Sequence, residues 1–346
     1  VNEYSFVADG ESLITSDLLL HEITSQSNTT DDRARSEGLA ELVITLQLTQ
    51  QRISNGMAPG EVIDHLARAL HETRSKLPLD VWRDLIPVVQ RHPLSQYFRQ
   101  DPFTRWSFEK PRGYSGDAQL LDFIYGHESI AGEVAGASAV GKALYGYTRD
   151  ASSSVAVRER RDLLTRYVDD IARARGPATE VLAIAAGHLR EANRSEALQA
   201  GALKRWVALD QDPLSVGSIA RDFAGTSVEA MDGSVRSVLA RPERLGQFDF
   251  IYAAGLYDYL SRKVAVRLTE TCLKMLKPGG SFLFANFAQD IVVDGYMETF
   301  MDWALLLRSK ADMWDIIDAT KGRDDTASVT FGENRNIVYG VITKAV

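Results

Sequence analysis

The stretch from Val181 to Asn193 constrains the fold of this chain more than any other. Val181 to Ile184 form a short apolar run that breaks at Ala185-Ala186-Gly187, and Leu189 to Leu198 then take up a helical spacing. Such a run, bounded by small residues, predicts a buried strand, a tight turn and a helix. In an open α/β sheet the crevice outside the strands' carboxyl ends is where ligands sit, and a helix N-terminus there offers N–H groups to polar or anionic parts of a ligand. Ala185 and Gly187 let the backbone approach closely. A second predicted strand, Trp206 to Leu209, ends in Asp210, at the spacing where an acidic side chain accepts hydrogen bonds from ribose hydroxyls. Together they point to an adenosine-type ligand against Ala185, Gly187, Asp210 and Gln211. A strand-turn-helix unit that binds nothing has the same pattern, so the rest of the chain must decide.

Composition narrows the classes. With 346 residues, 45% hydrophobic and 25% charged, the chain is long enough for two compact units. Its net charge of −8, without a Lys/Arg cluster, argues against nucleic-acid or anionic-membrane partners. No stretch reaches the roughly 18 apolar residues of a membrane span. Val1 to Gly10 have no basic-then-apolar leader pattern, and the single cysteine, Cys272, sits within an amphipathic helical pattern. A cytoplasmic protein with Cys272 in its core is expected, and no metal site.

The first third reads as helix after helix. Asp31 and Asp32 are placed to cap a segment running through Leu39, Leu42, Leu46 and Leu48 to Arg52, a second begins at Gly60, and a third follows Pro78. Their apolar stripes are core or dimer contact, and a homodimer is compatible with the Leu39 to Leu48 face. Between His92 and Gly126, prolines and aromatics lead into Pro111-Arg112-Gly113-Tyr114-Ser115-Gly116-Asp117. This loop is either a linker or a rim with Tyr114 and Asp117 pointing into a site. Helices follow at Ala118 to Tyr125 and at about Val134 to Tyr147. A long basic helix carrying Arg158, Arg160 and Arg161 ends near Arg175-Gly176-Pro177. Its arginines form a solvated face, or one of them reaches a ligand carboxylate.

Past Asp210 the α/β rhythm continues. Ser227 to Met231 is a third strand, ending at Asp232-Gly233-Ser234, and Phe248 to Ala253 a fourth, followed by Ala254-Gly255-Leu256-Tyr257-Asp258-Tyr259. Arg262 to Leu276 is a helix closed by Lys277-Pro278-Gly279-Gly280, Ser281 to Ala285 a fifth strand ending at Asn286, and Ser328 to Phe331 with Asn336 to Thr343 a terminal β-pair. Strands alternating with helices imply a parallel, doubly wound sheet. The expected architecture is an all-α N-terminal domain over 1–150 and a Rossmann-like α/β domain over 151–346.

The ordered set Val181-Leu-x-Ile-x-x-Gly187, Val207-Ala-Leu-Asp210, Gln247-Phe-Asp-Phe-Ile-Tyr252 and Leu276-Lys-Pro-Gly-Gly-Ser-Phe-Leu283 resembles the motifs of class I S-adenosylmethionine-dependent methyltransferases, over roughly Arg158 to Val346. The loop Pro111 to Asp117 with Ile124-Tyr125-Gly126 resembles a subfamily with a helical N-terminal domain, some of whose members are thought to make methyl esters of hydroxy fatty acids. The resemblance implies S-adenosylmethionine as cofactor, held by Ala185, Gly187, His188, Asp210, Gln211, Asp232, Gly233, Ser234 and Ala254. Two departures stand out. Ala183 occupies the first-strand position where the family has an acid that helps to hold the methionyl ammonium, and Ala185 and Leu189 stand where it has further glycines. The amino-acid end must then be gripped elsewhere, with Tyr114, Asp117, Arg158 and carbonyls near Ala185 as candidates. His188 either caps the following helix or contacts the ligand.

The resemblance also places the acceptor wall after the fourth strand. Tyr257, Asp258 and Tyr259 are either a helix start with an aromatic staple or, with Tyr114, the catalytic group, in which Asp258 takes a proton from the acceptor and the rings face the sulfonium. Asn286, Trp303 and Arg308 complete the substrate set, with Arg308 pairing a substrate carboxylate. The expected function is methyl transfer to a small acidic or amphipathic metabolite, at oxygen, within specialised metabolism. Two alternatives stand beside it. An amine left free of a carboxylate by Ala183 would attack its own γ-carbon, giving azetidine-2-carboxylate and methylthioadenosine. A degenerate fold would bind the nucleoside without catalysis, or not at all.

Overall fold

The computed structural model describes residues 32–289 and 291–346. The expectations for Val1 to Gly10 and for Asp31 as a cap lie outside these residues. The described residues group into two units, 159–289 with 306–346 and 32–158 with 291–305. The grouping sets the boundary at 158/159, against 150/151 from the sequence, and assigns residues 291–305 to the helical unit.

The first unit is a seven-stranded sheet of order β3-β2-β1-β4-β5-β7-β6. The strands are β1 Glu180–Ile184, β2 Arg205–Asp210, β3 Val228–Asp232, β4 Phe248–Ala253, β5 Leu276–Phe287, β6 Thr326–Phe331 and β7 Ile337–Thr343. β1 to β5 are parallel, whereas β7 pairs antiparallel with both β5 and β6. This is the Rossmann-like fold expected. β1 and β4 are buried along their whole lengths, as befits strands covered on both faces. One face carries Leu182, Val207, Ile251, Phe282 and Phe284 against Leu268 and Cys272 of the helix Arg262–Met275 and Ile316 of the helix Lys310–Asp318. On the other, Tyr167 stacks on Phe250 with ring centroids 5.6 Å apart. Lys277-Pro278-Gly279-Gly280 is part of β5, where the β4 register shifts between Phe248 and Phe250. The strand order reverses between β1 and β4, where the carboxyl ends open the crevice that binds ligands in such sheets.

The helical unit begins with helices Asp32–Ser54, Pro59–Lys76 and Leu79–Arg91, close to the sequence reading. The helix expected over Val134 to Tyr147 is two helices, Ala131–Gly136 and Ala139–Asp150, because Ser138 takes an extended backbone and caps the second through the Gly141 N–H. Residues 291–305 are bound into this unit by ionic groups. Arg74 pairs with Asp294 at 3.0 Å and Glu298 at 2.8 Å, His71 meets Asp294 at 2.9 Å, and the Trp82 indole donates to Glu298. A Cβ on Gly295 would lie 2.8 Å from the Leu70 backbone, so that helix contact admits only glycine. No helix among the described residues is long and apolar enough to cross a membrane.

Candidate ligand site at the carboxyl edge of the sheet

The loop after β1 departs from a strand-turn-helix. Ala185, Gly187 and Leu189 all lie in the left-handed region, at φ of 55°, 57° and 51°. For non-glycine residues that conformation costs on the order of 1–2 kcal/mol each. The positions where the sequence departs from glycine therefore keep the backbone that favours glycine. Leu189 in this conformation stops helix propagation, and the expected helix from Leu189 to Leu198 is reduced to a 3₁₀ turn, Ala192–Arg194, and a single turn, Glu196–Gln199. The donors directly after β1 are loop N–H groups, and the helix starts at this edge follow β2 and β3, at Pro213 and Val235.

Hydrogen bonds to β2 hold the loop. The Ala186 N–H donates to the Leu209 carbonyl at 3.1 Å, and the Gly187 N–H to Asp210 Oδ2 at 2.7 Å. Asp210 Oδ1 accepts the Asp212 N–H at 2.9 Å, and the Asp210 carbonyl accepts the Gly233 N–H at 2.9 Å. The Asp210 carboxylate thus ties the turns after β1 and β2 together, and its backbone carbonyl adds the turn after β3. Burial raises its pKa, while the two N–H donors act the other way. Each oxygen keeps lone-pair capacity for a further donor such as a ribose hydroxyl. Ala185 is exposed and Gly187 and Gln211 are half-buried, so the loop backbone is accessible. His188 caps no helix. It is buried, with Nδ1 3.3 Å from Arg190, which itself pairs with Asp222. Asp232 is exposed and in register with Asp210, and Ser234 is spent in a capping box with Ser237 on the helix Val235–Ala240.

The acceptor wall needs more correction. Tyr257 is fully buried, its hydroxyl 2.7 Å from Thr269 and its ring centroid 4.6 Å from that of Phe284, so it is a core residue and not a catalytic one. Tyr257 to Tyr259 form a 3₁₀ turn in which Tyr259 is half-buried. Asp258 is buried, accepts the Phe287 N–H at 2.6 Å, and is pushed up to about 6 by burial. Arg308 does not await a substrate carboxylate. Its guanidinium donates to the carbonyls of Tyr257 and Leu260 and to Asn286 Oδ1. Asn286 in turn donates to the carbonyls of Phe287 and Leu306. These two residues satisfy buried backbone groups, which would otherwise cost free energy.

The remaining candidates belong to the helical unit. Asp117 caps the helix Ala118–Tyr125 through the Leu120 N–H and accepts the Trp106 indole N–H at 3.0 Å. Arg158 is spent on the carbonyls of Ile124 and Arg149 and on Asp150. Tyr114 is half-buried, and Trp303 is buried against a cavity shared with Phe103, Tyr147 and Tyr296.

Three buried residues at this edge, Tyr252, Glu191 and Tyr339, escape the sequence reading, which singles out Arg160 only as one of the arginines of its helix. Arg160, and not Arg158, donates to the carbonyl of Ala254 after β4. Tyr252 lies beside Ala183 in register, and its hydroxyl donates to the buried Glu191, whose pKa burial raises. Tyr339 on β7 lies opposite Ala285. Among the described residues no group of three or more His, Cys, Asp or Glu could hold a metal ion.

The sheet order and its switch point are those of the class I methyltransferase fold. No family model and no curated protein matches the chain. Among solved structures, a possible exported protein from Bordetella parapertussis aligns at 15% identity and a TM-score of 0.55, over 79% of this chain and 98% of its own. A putative methyltransferase from Thermobifida fusca aligns at 16% identity and 0.47, over 66% and 94%. Human N-acetylserotonin methyltransferase in complex with S-adenosylmethionine aligns at 15% and 0.41, over 56% and 54%.

Proposed function

We propose that the protein binds S-adenosylmethionine at the carboxyl edge of the sheet and transfers its methyl group to an oxygen of a small acidic or amphipathic metabolite. The observation that carries this reading is the left-handed Ala185–Leu189 loop hooked to the Asp210 carboxylate at the switch point between β1 and β4. The loop gives a nucleoside an accessible backbone surface, and Asp210 has acceptor capacity left for ribose hydroxyls. When bound, the cofactor supplies an already electrophilic methyl group. The chain then has to orient the partners and exclude water, and alignment alone contributes about 7–11 kcal/mol in favourable cases. Asp258, raised to about 6, is suited to accept a proton near neutral pH.

Ala183 favours a second reading, cyclisation of the cofactor's own amino-acid tail, because β1 brings no acid to that tail. One incubation separates the two. Purified protein with S-adenosylmethionine alone, followed by mass spectrometry of the small molecules, leaves the cofactor intact under methyl transfer. It yields methylthioadenosine and azetidine-2-carboxylate under cyclisation. Leu39, Val43, Ile44 and Leu48, exposed on the helix Asp32–Ser54, support a homodimer, which sedimentation tests.

A further inference from the structure

Arg160 and Tyr339 carry more than the fold asks of them. Arg160, on the helix Ser152–Arg175 that precedes β1, is 4% exposed. Among the described residues its guanidinium makes one hydrogen bond, to the Ala254 carbonyl, and no ion pair. The Tyr339 hydroxyl, near the carboxyl end of β5, is buried without any hydrogen-bond partner among the described residues. A guanidinium has five N–H donors, and a buried phenol ordinarily finds a partner. Both groups therefore hold unspent donor capacity in a place where leaving it unspent costs free energy.

Their surroundings say what they would take. Arg160 reaches the carbonyl of Ala254, which follows Ala253 of β4, and the register partner of Ala253, Phe284, precedes Ala285, the residue opposite Tyr339. Tyr252, which holds Glu191, pairs with Ala183 and Leu283 in the same stretch of sheet, and the charge of Arg160 acts on Tyr339, Glu191 and Asp258. One N–H fork and one hydroxyl match the two oxygens of a carboxylate. The two acids beside them disfavour a dianion such as phosphate and suit a ligand carrying its own ammonium. We propose that Arg160 and Tyr339 bind the carboxylate of an α-amino-acid group, with Glu191 facing its ammonium. The proposal rests on the nucleoside reading above and names the residues that replace the acid missing at Ala183.

Calorimetry with two ligands tests it. S-adenosylhomocysteine carries the amino-acid group, and methylthioadenosine keeps the nucleoside without it. The wild-type protein is expected to bind S-adenosylhomocysteine at least thirtyfold more tightly. Tyr339→Phe and Arg160→Lys should each lower that affinity about tenfold or more and leave methylthioadenosine unchanged, which also shows that the variants are folded. Tyr339→Phe should also melt at or above the wild-type temperature, since it deletes an unpartnered hydroxyl. Equal affinity of the wild type for both ligands, or an equal loss of both in the variants, would overturn the amino-acid site and leave the nucleoside reading intact. Binding of neither ligand by the wild type would remove both.

Discussion

The two ends of the parallel sheet treat their buried charges in opposite ways. At the amino end every acid is matched. Glu180 receives Lys204, Arg205 and Lys277 at 3.2, 2.8 and 2.7 Å, and Asp249 receives Lys277 at 2.7 Å and the Glu180 N–H at 2.9 Å. Burial alone would raise the Glu180 pKa, but these partners hold it at about 2. At the carboxyl end Asp210, Glu191 and Asp258 are buried with hydrogen bonds but, among the described residues, no ion pair, and burial raises all three. Arg160 is present there and pairs with none of them. An end that is electrostatically complete has little left to offer a ligand, and shifted acids with unspent donors are what the proposed site at the other end draws on.

Removing a partner should therefore hurt most at the amino end. Lys277→Ala leaves two buried carboxylates short of a cation and is expected to cost about 2–4 kcal/mol in urea unfolding, with ligand affinity unchanged. A loss of affinity without a loss of stability would reverse the assignment of the two ends.

The pH dependence should split along the same line. The Glu180 pKa is depressed in the folded state, so its contribution is full above the ordinary glutamate value and is lost as pH falls toward 2. The Asp258 pKa is raised, so the folded state binds the proton more tightly and stability grows as pH falls from about 7 through 6 toward the ordinary aspartate range. Asp101, buried in the helical unit and also raised to about 6, adds to the same limb. Stability should peak in the mildly acidic range, and Asp258→Asn should flatten the neutral limb by about 1–2 kcal/mol. An unchanged neutral limb in that variant would show that Asp258 is not charged at a cost. The smallest effect is local. Ala185→Gly should relieve the left-handed strain and raise stability by about 0.5–1 kcal/mol, read as a small rise in melting temperature. A drop would mean that the Ala185 side chain is itself in use.

How much was legible follows from how local each signal is. Strands β1, β2, β3 and β4 were read within a residue or so at either end, because a short apolar run between turn residues is a local pattern, and β4 falls on Phe248–Ala253 as expected. The helix after β1 failed because Leu189, Ala192, Ala197 and Leu198 keep a helical spacing while Leu189 takes a left-handed backbone and Ser195 starts a new turn through the Leu198 N–H. The link between the first two turns was readable in its parts, since Asp210 closes β2 and Gly187 lies in the turn after β1. Arg308, Asn286 and Tyr257 were misread for the opposite reason. Their partners are carbonyls and rings of distant segments, and no periodicity encodes which carbonyl a guanidinium will meet. The choice of Arg158 over Arg160 turns on two positions of helix rotation, with Arg158 spent on Ile124 and Arg149 and Arg160 turned to Ala254.

The most direct measurement is the affinity of S-adenosylhomocysteine for the wild-type protein and for Asp210→Ala, by calorimetry, with a thermal melt of each. If Asp210 joins the three turns and receives the ribose, affinity should fall at least about a hundredfold, or roughly 2.7 kcal/mol, while the variant still unfolds cooperatively. Equal affinity in the two proteins would contradict a nucleoside site at this edge.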